Sequence, residues 1–251
     1  MTAVADTAAL TGRSLRHILR SPDTIVTTAV MPIAMLLLFV FVLGGAIDTG
    51  GVAYVDYLLP GILLITIASG VAYTAYRLFL DLSGGIVDRF RSMPIARSAV
   101  LWSHVLTSLA ANLAALALVV GAALLMGFRS GAGALAWLAV AGILVLFTLA
   151  LTWIAVIAGL GARSVDGASA FSYPLILLPF ISSAFVPTAT MPGPVRWFAE
   201  HQPVTSIVET IRALLGDRPV GPEIWAALGW CTGILLLAWG GALVLDRRRV
   251  R

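Results

Sequence analysis

Chemistry needs side chains that ionise, coordinate or attack, and this chain of 251 residues has few of them. Its three histidines, His17, His104 and His201, stand far apart in sequence, and no H-E-x-x-H pair occurs. Cys231 is the single cysteine, which excludes an internal disulfide and any cysteine-rich metal site. All 16 basic residues are arginine. Without a lysine the chain has no G-x-x-x-x-G-K-S/T phosphate loop, so it is not itself a standard ATP-hydrolysing subunit. None of the 12 carboxylates falls within an apolar run. An intramembrane protease would have nothing to work with, and a proton- or sodium-coupled carrier would lack its mid-membrane groups. Asn112 is the main polar side chain at depth, and a helix–helix hydrogen bond is preferred for it over a pathway contact. His104 reads as solvated or bonded to backbone. No catalytic residue, metal ligand or cofactor site is expected.

The elements that carry these few groups are apolar. Hydrophobic residues make up 60% and charged residues 11%, with a mean hydropathy of +1.00. A soluble globule carries about 25% charged residues. A cytosolic enzyme, a disordered regulator and a nucleic-acid module are all poor fits, because this composition cannot cover a water-facing surface. The net charge of +4 does not rescue nucleic-acid binding, since the arginines are spread over loops. Uncharged gaps cover residues 24–47, 57–76, 98–128, 130–162, 167–195 and 224–245. A bilayer core takes about 20 apolar residues per helix, so each gap suffices for one crossing and none for two. The expected spans are 25–43, 58–76, 105–126, 135–160, 171–186 and 225–245. The fifth is the weakest, being short and holding Pro174 and Pro179; alone it also reads as a re-entrant segment.

Arginine placement decides between these readings. With six crossings and a cytoplasmic N-terminus, 12 arginines lie inside and 4 outside. Without the fifth crossing the asymmetry disappears. The positive-inside rule therefore favours six spans with both termini cytoplasmic. The first apolar run begins late and lacks an A-x-A site, so no cleaved signal peptide is expected. The fold class is an all-α integral membrane protein, one transmembrane domain over residues 1–251.

Four pieces lie outside the spans. Residues 10–21 read as a short amphipathic helix on the membrane surface, with Arg13, Arg16 and Arg20 on its polar side and Pro22 as its stop. In the segment 81–98, Ile86, Val87, Phe90 and Met93 share one helical face, Arg89 and Arg91 lie elsewhere, and Pro94 ends it. That apolar face needs a cover, and periodicity does not choose between the membrane surface and a protein partner. The inner loop 161–170 reads as an ordinary turn. The outer loop 187–223 is too long for a connector and reads as one or two short helices dipping into the outer leaflet. Ser206…Glu209 fits a capping box, Gly216 closes the helix, and Glu209 can pair with Arg212. Trp197 and Phe198 suit the interface belt.

Taken in order, these pieces resemble the ABC type-2 transporter permeases, especially the daunorubicin-resistance-type multidrug exporters of bacteria. Arg13-Ser14-Leu15-Arg16…Arg20-Ser21-Pro22 is similar to the family's elbow helix. Tyr57-Leu58-Leu59-Pro60-Gly61-Ile62 is similar to its Y-x-x-P-G opening of the second span. Gly85…Asp88-Arg89-Phe90-Arg91-Ser92-Met93-Pro94-Ile95-Ala96-Arg97 resembles its G-x-x-E-R-L-x-x-x-P-I-x-R segment, with Asp88 and Phe90 for Glu and Leu. Met191-Pro192…Trp197…Gln202-Pro203-Val204-Thr205…Glu209…Arg212…Leu214-Leu215-Gly216 resembles its P-x-W…N-P-x-T…E-x-x-R-x-L-x-G stretch, with Gln202 for Asn.

The resemblance implies a permease subunit of an exporter in the bacterial plasma membrane. Ile86, Val87, Arg89, Phe90, Arg91, Met93 and Pro94 would form the cytoplasmic coupling helix, seated in a groove of a separate ATPase subunit that binds the ATP and Mg. Trp197, Pro203, Glu209 and Arg212 would belong to the outer re-entrant lid. A second permease subunit, identical or similar, would complete the pathway for an apolar or amphipathic substrate such as a drug, antibiotic or lipid. No nucleic acid is involved. The rival readings are a secondary carrier and a non-transport polytopic assembly factor.

Overall fold

The computed structural model describes residues 7, 10–12, 22–44, 53–85 and 97–249. Among these residues all regular structure is helical. The elements are α1 (Pro22–Leu37), α2 (Tyr54–Ser83), α3 (Arg97–Leu125), α4 (Ala134–Gly161), α5 (Val165–Ala170), α6 (Ser172–Leu177), α7 (Gly193–His201), α8 (Pro203–Leu215) and α9 (Glu223–Arg249). The arginines expected in the surface helix (Arg13, Arg16, Arg20) and the whole coupling segment from Ile86 to Pro94 lie outside the described residues.

Four helices, α2, α3, α4 and α9, are long and apolar enough to cross a membrane. They outrun the expected spans by a turn or more at both ends of α2, the start of α3 and the end of α9, because helix continues past the apolar core into the polar margin. α1 is shorter and finishes in a π-helical stretch, Leu38–Leu43. α2 is the central column. Its apolar window is 83% buried, against 17% for α9. It packs on α1, α3, α4, α5, α6 and α8, whereas α9 leans mainly on α4 and α8. α9 leaves Trp225, Leu236 and Leu237 exposed, as suits a helix whose outer face meets lipid.

Small residues let these helices close up. Gly159 of α4 backs onto Ala75 and Leu78 of α2, where an added Cβ would sit 2.9 Å from the Ala75 carbonyl. The contact also fixes direction: the last turn of α4 lies near the last turns of α2. Above it Trp153 is fully buried and meets Trp102 edge-on, with ring centroids 5.2 Å apart.

The fifth expected span differs from the expectation of one helix over 171–186. The chain forms α5, breaks at Phe171, forms α6, tightens into a 3-10 turn at Leu178–Ile181, and then runs through non-helical turns from Ser182 to Phe185. Pro174 and Pro179 supply the reason, since neither can donate an intrahelical hydrogen bond. The broken stretch still covers distance. It starts beside α4's last turn, and its Ser183 carbonyl accepts from Tyr57 Oη near the start of α2. Those two places on α2 are about 30 Å apart, at 1.5 Å per helical residue.

Candidate functional site

Broken helix leaves carbonyls without partners, and an apolar setting makes each one costly. The site is built from the side chains that answer this need. They come from α8, from the junction between α7 and α8, and from the start of α2.

Gln202 is the residue between α7 and α8. Its Nε2 donates to the carbonyls of Leu178 (3.1 Å) and Ile181 (2.7 Å), the two ends of the 3-10 turn. Thr205 Oγ1 donates to the Ala199 carbonyl and accepts from the Ser183 amide at 3.4 Å, joining α7, α8 and the turn. Arg212 sits two turns further along α8 and is buried. Its Nη2 donates to the carbonyls of Ser183 (2.8 Å) and Tyr57 (3.0 Å), and its Nη1 donates to Glu209 Oε1 at 2.7 Å. The guanidinium also lies 3.8 Å from the Tyr57 ring centroid, a cation–π contact. Pro60, in the interior of α2, cannot donate to the Asp56 carbonyl four residues earlier, and its ring opens the turn that holds Tyr57.

Gly61 completes the cradle. A Cβ there would sit 2.6 Å from the Cβ of Ala184, so only glycine lets the turn lie this close to α2. Phe185 follows, against Phe39 of the π-helical end of α1 (5.0 Å) and stacked on Phe180 (4.8 Å). Ser130 Oγ donates to the Leu215 carbonyl at 2.8 Å, tying α8's last turn to the α3–α4 loop. This arrangement is a polar latch holding a broken passage against the central helix. Within it Arg212 Nε, Gln202 Oε1 and Ser183 Oγ find no partner among the described residues. A contact satisfied only in part costs less to open than a complete one.

Glu209 and Arg212 meet as expected, and Pro203 is the first residue of α8. Trp197 does not join them: it is exposed on α7 and stacks on His201 at 4.7 Å. On the same helix Arg196 donates to Glu200 at 2.7 Å and holds that carboxyl below the usual carboxylate range. The expected capping box is absent. α8 begins at Pro203, three residues before Ser206, because proline's missing amide costs nothing in a helix's first turn. Ser206 Oγ bonds back to Pro203 O instead. His104, expected to be solvated or bonded to backbone, pairs with Asp81 at 3.2 Å. Asn112 also departs from the expectation, since its Nδ2 donates within α3, to Ser108 O at 2.9 Å. Gln202, Thr205, Tyr57 and Gly61 stand in the family-like motifs, but residue type alone assigned them no role. Ser183 carried no signal, because it contributes backbone.

Gln202→Ala removes two donors and strands two carbonyls, at about 2 kcal/mol. The purified protein in nanodiscs should melt several degrees lower. An unchanged melting temperature would remove Gln202 from the latch.

Comparison with known proteins gives the family. The family model described as ABC-2 type transporter matches residues 5–215, most of the chain and all of the latch. The chain belongs to the ABC-2 type transporters. This ABC-2 transporter chain is 29% identical over 218 residues to the daunorubicin resistance ABC transporter permease protein DrrB1 of Streptomyces coeruleorubidus, covering 85% of this chain and 76% of that one. It is 26% identical over 242 residues to the probable doxorubicin resistance ABC transporter permease protein DrrC of Mycobacterium tuberculosis, covering 93% and 85%. ABC-2 membership and four long apolar helices make it a multi-pass protein of the bacterial cell membrane, the permease part of an ABC transporter.

Proposed function

We propose that this ABC-2 permease is the membrane subunit of an exporter for an apolar or amphipathic compound, driven by a separate ATPase that holds ATP and its magnesium. Six passages carry the chain across: α1, α2, α3, α4, the broken stretch from Val165 to Phe185, and α9. Both termini are cytoplasmic and the latch faces outward. The arginine asymmetry supports this orientation, as does the gathering of α2's start, the α3–α4 loop, α8 and the Ser182–Phe185 turn at one end. Two such subunits, identical or similar, line the pathway.

The observation that carries the reading is the latch. A transporter must alternate between two conformers, and ATP must favour one of them. A passage broken by prolines, and held by a few side-chain donors of which Arg212 and Gln202 each keep an unpartnered atom, is suited to giving way to a second arrangement. The names of the relatives support a drug-like substrate.

Force reaches this latch from the other face of the membrane, through the segment from Ile86 to Pro94. Its apolar residues Ile86, Val87, Phe90 and Met93 seat in a groove of the ATPase, with Arg89 and Arg91 facing acidic groups. Co-purification with a candidate ATPase chain tests this. Wild type should retain the ATPase and Phe90→Asp should lose it while still inserting in the membrane, since a charge buried in an apolar groove costs several kcal/mol. Equal retention by the mutant would make the segment a membrane-surface element and remove the drive from the exporter.

A further inference from the structure

A push that enters between α2 and α3 must travel the length of the bundle to reach the latch. The chain leaves α2 at Ser83 and enters α3 at Arg97, whereas the latch bears on Tyr57 and Gly61 at the other end of α2. Helices joined only by apolar contacts can slide past one another and absorb such a push. These helices are tied by polar side chains.

Ser108 of α3 is the node. Thr66, Thr148 and Thr152 turn their hydroxyls back to the carbonyl four residues earlier, a common outlet for threonine inside a helix. Thr74 does not: its Oγ1 donates across to Ser108 Oγ at 2.7 Å. Ser108 Oγ in turn lies 3.3 Å from Thr152 Oγ1 of α4. Thr152 already gives its proton to the Thr148 carbonyl, and Thr74 gives its own to Ser108, so Ser108 is the donor in this contact. Asn112 Nδ2 adds a longer contact to Ser108 Oγ at 3.4 Å. One buried hydroxyl thus joins α2, α3 and α4.

The node is flanked on both sides. Toward the last turn of α2, His104 Nε2 meets Asp81 at 3.2 Å, a further tie between α2 and α3. In the other direction the Asn112 amide rests on Gly70, where a Cβ would collide with it, so the amide sits as a key in a notch of α2. These contacts pair 81 with 104, 74 with 108 and 70 with 112, an antiparallel register. A slide of α3 along α2 breaks all of them at once.

We propose that Ser108 and the His104–Asp81 pair are positioning residues of the transport cycle: they bind α2, α3 and α4 into one block that carries displacement from the cytoplasmic end to the latch. From Thr74 to Tyr57 the block runs about 25 Å along α2. The helix that bears Arg212, α8, packs on both α2 and α4. A block moving as one therefore shifts the Tyr57 carbonyl and Gly61 against the turn they hold, while untied helices would lose the same push as sliding. The inference rests on the exporter reading and adds the route by which the ATPase's work crosses the membrane.

The test uses the complex with its ATPase in nanodiscs. Amide exchange at Ser183 and Ala184 is read without nucleotide and after trapping with ATP, magnesium and vanadate. Trapping should speed wild-type exchange there about ten-fold. Ser108→Ala and His104→Leu should each reduce that response, and the double variant should abolish it, because either tie alone still hinders sliding. His104→Gln keeps a donor for Asp81 and Thr74→Ser keeps the donor for Ser108, so both should respond as wild type does. Melting temperature separates positioning from bare stability. A seam that only stabilises would lower the melting temperature of the double variant and leave its nucleotide response intact, and that result would overturn the inference. Should the double variant fail to insert, an undiminished response in both single variants would overturn it equally. A wild-type complex that retains the ATPase yet shows no response would also overturn it, whereas a wild type that never retains the ATPase would overturn the exporter reading.

Discussion

Replacing Arg212 with methionine is expected to cost about 3 kcal/mol locally and to raise amide exchange at Ser183 and Ala184 roughly a hundred-fold. The side chain keeps its bulk in this change and loses its donors. Three hydrogen bonds go with it, along with the contact to the Tyr57 ring. The Ser183 carbonyl keeps Tyr57 Oη as a partner, and Glu209 is exposed enough to hydrate, so the cost falls below that of stranding a fully buried ion. Arg212→Lys separates charge from geometry. Lysine has no fork and cannot reach two carbonyls and a carboxylate together, so it should restore less than half of the loss. Full restoration by lysine would mean that charge alone holds the turn. Exchange at Leu144–Leu151, inside α4, should stay as in wild type.

The second large effect is steric. Gly61→Ala places a methyl 2.6 Å from the Ala184 Cβ, when carbon atoms rest about 3.5–4.0 Å apart. Ala184 is fully buried and backed by the turn that Gln202, Thr205 and Arg212 hold, so neither side can give cheaply. Overpacking of this kind costs about 1–3 kcal/mol, and Gly61→Val should exceed it. The decisive measurement is the reverse exchange. Gly61→Ala with Ala184→Gly moves one methyl across the contact and keeps the volume, so the double variant should recover most of the melting temperature. If Ala184→Gly only adds to the damage, the turn does not rest on Gly61.

Much of this was legible in the sequence. Charge-free gaps marked the long apolar helices, since a lipid-facing helix tolerates no charge over its middle. The Glu209–Arg212 pair followed from i, i+3 spacing. What failed did so for local reasons. Ser206 and Glu209 fit a capping box, but Pro203 was the better first residue and started α8 earlier. Pro174 and Pro179 warned of trouble in the fifth passage without saying whether it would kink or break. The latch was half visible. Its donors are motif residues, while its acceptors are carbonyls of Tyr57, Leu178, Ile181 and Ser183, to which side-chain identity gives no clue.

The latch also has a consequence in time. Its bond between Arg212 and the Tyr57 carbonyl joins residues 155 positions apart. At about 5–20 residues per second of translation, Arg212 leaves the ribosome roughly 8–30 s after Tyr57. Throughout that interval the opening turns of α2 are in the bilayer with their groove at Gly61 vacant and a carbonyl unclaimed. The helix on which the others pack is thus the one whose end is finished last, and until then the newborn chain leaves that end open to quality-control proteases.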